Sequence, residues 1–128
     1  MLNRWTVQRK HDPAREHRIL YEVIVDCYDD EELMGWYYYM AEGLEFPIDV
    51  TVRFTLKNGK TEAKPAQIVH IDPKSERGNP IRLGITEPGS ERMQYISPEE
   101  LASADTTPEN LEILNDWLYW HDFELLED

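Results

Sequence analysis

Ile48-Asp49-Val50-Thr51-Val52-Arg53-Phe54-Thr55-Leu56 is the segment whose reading decides the fold. Ile48, Val50, Val52, Phe54 and Leu56 share one face, a period of two that marks a half-buried strand. Asn58-Gly59 follows at once and suits a tight hairpin, because both residue types tolerate positive φ. Further strands are predicted over residues 66–72, 81–86 and 92–96. They are separated by Asp72-Pro73, Gly78-Asn79-Pro80 and Pro88-Gly89-Ser90. Short strands this close together bury both faces only by curling. The expected class is α+β: a small SH3-like antiparallel β-barrel, flanked by one helix from the N-terminal half and one C-terminal helix.

For the first helix, Asp29 is the expected N-cap, with Glu32 at the reciprocal position of a capping box. Leu33, Trp36, Tyr37, Met40 and Leu44 then form one apolar stripe, with Gly43 as the C′ residue and Pro47 as a stop. For the C-terminal helix, Thr107-Pro108 supplies N-cap and first turn. Leu111, Leu114, Trp117, Leu118 and His121 supply its buried stripe. Residues 19–25 suit a strand or the start of a helix, and their β-branched content favours the strand. Residues 1–18 read as a flexible basic arm, and 19–128 as a single domain.

The formal net charge of −13 is segregated. No Lys or Arg lies between Arg18 and Arg53, and none follows Arg92. Those two stretches hold all the excess of acid, while the segments before and between them are mildly basic. Such a distribution argues against nucleic acid, which needs a basic stripe, and against anionic lipid. It suits cations or a basic protein partner. An RNA-binding barrel is disfavoured, because Arg53, Lys57, Lys60, Lys64 and Lys74 have little aromatic interleaving. Cys27 is the only cysteine, so no intrachain disulfide forms, which fits a reducing cytoplasm. No secretory signal or membrane-spanning run is expected.

Calcium takes 6–8 oxygen ligands. The candidates are Asp26, Asp29, Asp30, Glu31 and Glu32 before the first helix, and Glu42 and Glu45 near its end. The first group is better explained by helix capping and the macrodipole, worth ~0.3–1 kcal/mol each, and the same dipole disfavours a cation there. Glu42 and Glu45 stand beside C-terminal carbonyls, which are hard oxygen donors. Asp116 joins them if the two helices pack together, with Glu112 one turn before it. There is no EF-hand loop, no metal spacing among the histidines and no nucleophile motif, so no enzyme is expected. The run of aromatics around Trp36 and Trp117 reads as core.

The order of the acidic run, Met34-Gly35-Trp36-Tyr37-Tyr38-Tyr39 and Leu44-Glu45-Phe46-Pro47 resembles the cyanobacterial calcium-binding proteins of the CcbP type. Asp116-Trp117-Leu118-Tyr119-Trp120 is similar to that family's closing Asp-Trp-x-Tyr-Trp. The resemblance spans about residues 19 to 123. It implies the small barrel, a cytoplasmic Ca²⁺ buffer or sensor without catalysis, and calcium binding by the motif acids. Leu118 stands where a polar residue is expected, and the basic arm has no counterpart. The alternative is an acidic interaction module for a basic protein partner.

Overall fold

The computed structural model describes residues 11–25, 31–74 and 79–127. Helix α1, Pro13–Arg18, runs directly into a π-helical turn, Ile19–Val23. Helix α2 is Glu32–Gly43. Strands β1 (Ile48–Thr55), β2 (Thr61–Ile71), β3 (Leu83–Thr86) and β4 (Met93–Ile96) follow. A 3-10 turn, Pro98–Glu100, leads into β5 (Leu101–Asp105), and α3 (Pro108–Trp120) comes last. The strands form one antiparallel sheet in the order β4-β3-β2-β1-β5. The barrel-like meander is as expected, although the sheet does not close.

The β1–β2 hairpin follows its local sequence. Gly59 has φ 85°, its N–H donates to the Leu56 carbonyl at 2.9 Å, and the Leu56 N–H donates to the Lys60 carbonyl at 2.8 Å. Ile48, Val50 and Val52 are buried, and the stripe fades into solvent toward Leu56 at the hairpin tip. β2 begins five residues before the expected position 66. Its polar first half is held by β1 alone, through pairs from Thr61–Thr55 to Pro65–Thr51. Pro65 is tolerated there because β3 joins β2 only from Gln67 onward.

β5 was not foreseen. Leu-Ala-Ser-Ala-Asp has little intrinsic strand preference, and pairing with β1 makes it a strand. The strand expected over residues 19–25 is corrected to helix. Pro13 opens α1 and the Asp12 side chain accepts from the Arg15 N–H at 3.1 Å, so the chain enters residue 19 already helical. Ile19 and Val23 are buried four residues apart, the spacing of a helical face.

Helices α2 and α3 close the core against the inner sheet face. Trp36, Met40, Leu114 and Leu118 meet Ile48, Val52, Ile68, Leu83 and Ile85, all essentially fully buried. Each such side chain contributes about 1.5–3 kcal/mol of transfer free energy. The Thr107 cap is as expected, accepting from the Asn110 N–H at 3.2 Å. The start of α2 differs, since Glu31 occupies the N-cap position without a side-chain bond. Gly43 is not a left-handed C′ residue but the last helical one. A Cβ there would lie 2.6 Å from Ile113 Cδ1, so the glycine permits the close approach of α2 and α3.

Candidate calcium-binding surface

Asp116 sits in the middle of α3 with no exposed surface. Its Oδ1 accepts from Arg15 Nη1 at 2.5 Å and Arg18 Nη2 at 2.6 Å. Its Oδ2 accepts from Arg18 Nε at 3.0 Å and the Tyr39 hydroxyl at 2.5 Å. Arg18 also pairs with Glu112 at 3.1 Å, and Arg15 donates to the Glu112 carbonyl at 3.2 Å. The Asp12 N–H donates to the Tyr119 hydroxyl at 2.9 Å. The hydrogen bond to Asp116 raises the Arg18 pKa, against the opposing effect of burial. Burial, followed by the Asp116 bond, pushes the Tyr39 hydroxyl up, so it stays a donor.

Asp116, expected as a metal ligand, is held here by protein partners. Its lone pairs are occupied by two guanidinium groups and a phenol, and α2 and α3 are joined by this network rather than strained by repulsion. The same geometry qualifies the arm expected over residues 1–18. Residues 12–18, where described, are docked on α3 through Asp12, Arg15 and Arg18.

Asp26, Asp29 and Asp30 lie outside the described residues. Glu31 is exposed at the start of α2. Glu32 is partly buried and, with Glu99 and Asp122, faces His121. Glu42 is exposed and lines a shallow depression with Glu22, Tyr38 and Tyr39. Thus the structure does not bring Glu31, Glu32 and Glu42 together with Asp116. Glu45 is set by its backbone: its N–H donates to Asn110 Oδ1 at 2.9 Å, and its carbonyl accepts from Asn110 Nδ2 at 3.0 Å.

The sheet brings together two acids that the sequence reading passed over. Asp49 of β1 stands directly opposite Asp105 of β5. Both are exposed. Like charges facing across a ladder are destabilising unless something compensates them. Gln67 Nε2 donates to Asp49 Oδ1 at 2.8 Å, a partial offset. Glu45, Asp49 and Asp105 line one depression of about 460 Å³ with Thr106, Thr107 and Asn110. The sequence signal was available, since Asp49 and Asp105 are outward positions within the two acid-rich stretches. What it lacked was β5.

Among the described residues, no three acidic, His or Cys side chains converge into a preformed metal cage. The donors around the Asp49–Asp105 pair are oxygens, with no sulfur and no imidazole. That set fits a hard cation such as Ca²⁺, whose remaining positions water and carbonyls can fill, and does not fit zinc.

Comparison with known proteins agrees with this chemistry. Anabaena CcbP has a similar structure, with a TM-score of 0.80 and 28% identity over 94% of this chain and 98% of that one. A calcium binding protein in its calcium-binding form is also similar, with a TM-score of 0.75 and 30% identity over 90% and 96%. No curated protein sequence matches at a significant level. The sequence profile of the CcbP family, described as calcium binding, matches residues 17–121, and the chain belongs to that family.

Proposed function

We propose that the chain binds Ca²⁺ as a non-catalytic buffer or sensor in a reducing cytoplasm, and that the Asp49–Asp105 pair with Glu45 is its principal locus. The observation that carries the site is the cross-strand register, which sets two carboxylates opposite each other with no ion pair to either among the described residues. A divalent ion converts that repulsion into attraction. Family membership supplies the choice of ion. Asp26, Asp29 and Asp30 with Glu31 and Glu32, and separately Glu42, form further acidic loci that we assign to weaker calcium contacts. Asp116 is not among them.

Thermal melting of metal-stripped protein with CaCl₂, MgCl₂ or NaCl at matched ionic strength tests the reading. An ion at 100 times its Kd that binds only the native state adds ~2.7 kcal/mol, several degrees for a domain this size. Calcium should exceed magnesium, and Asp49→Asn should remove most of the difference. Equal shifts with all three salts would reduce the effect to screening and overturn the proposal.

A further inference from the structure

Glu45 differs from the other two acids of its depression in what holds it. Asp49 and Asp105 are fixed by the β1–β5 ladder, whereas Glu45 lies in the linker between α2 and β1. Among the described residues, one side chain holds both polar groups of its backbone. Asn110 Oδ1 accepts from the Glu45 N–H at 2.9 Å, and Asn110 Nδ2 donates to the Glu45 carbonyl at 3.0 Å. The same Nδ2 donates to Thr106 Oγ1 at 2.9 Å. Asn110 is only 3% exposed, so these bonds are what satisfies its amide.

An amide presents a donor and an acceptor side by side, which matches the N–H and C=O of one residue. A carboxylate of the same length lacks the donor, and a flipped amide would set donor against donor at the Glu45 N–H. The clamp therefore requires asparagine in one orientation. It joins the linker to the start of α3 across 65 residues of sequence, beside the depression that Glu45 shares with Asp49 and Asp105. Magnesium keeps several waters, takes one or two carboxylates and demands octahedral geometry at about 2.0–2.1 Å. The ladder pair alone meets that need. Calcium takes 6–8 oxygens at about 2.3–2.6 Å, so its larger shell has room for the third carboxylate.

We propose that Asn110 is a positioning residue that gives this locus its preference for calcium over magnesium. Its amide fixes the Glu45 backbone, so the third carboxylate is already ordered beside the ladder pair when the ion arrives. Asn110 touches no ion itself. It has this role only if Asp49, Asp105 and Glu45 form the calcium locus proposed above.

Calorimetric titration of the metal-stripped protein with CaCl₂ and, separately, MgCl₂ tests it, with urea unfolding to verify that each variant is folded. Asn110→Ala should weaken calcium binding about tenfold and leave magnesium within about twofold, so the ratio of the two affinities falls. In a Glu45→Ala background the same substitution should cost no further calcium affinity, because it acts through Glu45. Thr106→Val removes one acceptor of the Asn110 amide, should shift the ratio the same way by less, and replaces Asn110→Ala if that variant does not fold. Asn115→Ala cuts an equivalent two-point clamp, the one on the Leu126 backbone, and should leave the ratio unchanged. Equal losses for both ions in Asn110→Ala, additive losses in the double variant, or the same shift in Asn115→Ala would make Asn110 an ordinary structural tie and overturn the proposal. Failure of the calcium locus itself has a different signature, since Asp49→Asn would then leave calcium affinity unchanged as well.

Discussion

Asp116 on α3 is fully buried and meets two guanidinium groups, whereas Asp49 and Asp105 are exposed and face each other. Both belong to stretches without a single Lys or Arg, so by composition all three are uncompensated. The difference teaches that charge available to a ligand is decided by partners distant in sequence. Arg15 and Arg18 lie 101 and 98 residues from Asp116, and they remove it from the pool of free carboxylates. Asp49 and Asp105 reach each other through the sheet, and that contact adds repulsion.

The largest test of this contrast is Asp116→Ala. Removing one partner from a buried ion pair costs about 3–5 kcal/mol, and the partial exposure of both arginines favours the lower end. Urea unfolding in chelator should show the loss, while the calcium-induced rise in melting temperature should persist. A variant that folds normally but has lost its calcium response would make Asp116 a ligand after all.

Thr107→Ala sharpens the same comparison by weakening the start of α3, at the rim of the Asp49–Asp105 depression, while leaving every acid in place. It should cost ~1 kcal/mol in the same unfolding experiment and leave the calcium response intact. Loss of the calcium response in this variant would make the α3 start, through Thr107 or the Glu45 backbone that Asn110 holds, part of the site.

Asp105→Asn should have a smaller effect with a reversal of sign. In chelator it relieves a like-charge pair and should stabilise by roughly 0.2–1 kcal/mol. In saturating Ca²⁺ it should be less stable than the parent. Melting curves under the two conditions decide this, and parallel shifts would leave Asp105 an ordinary solvated residue.

The smallest effect is a slope with pH. Burial lowers the His121 pKa, against the raising influence of the Trp117 carbonyl and of Glu32, Glu99 and Asp122. The unfolded chain therefore takes up the proton first. Stability from neutral His121 is complete above its unfolded value of about 6.5 and is lost as pH falls toward the lower folded value. His121→Gln should flatten the stability profile below about pH 6.5. An unchanged slope would assign it to the carboxylates instead.

The sequence by itself determined the elements whose signals are local. The Ile48–Thr55 strand, the Asn58-Gly59 turn, the Thr107-Pro108 helix start and the family motifs are each written within a few residues, where sterics and capping act directly. Only the tertiary structure decided β5, the fate of Asp116 and the meeting of Asp49 with Asp105. Leu101–Asp105 becomes a strand because β1 offers it a ladder, and its own residues scarcely favour that state. The residues around Ile19 become helical because α1 precedes them and the core takes one side chain in four. An acid is an anchor or a ligand according to which charges folding brings within a few ångströms, and no local pattern specifies that.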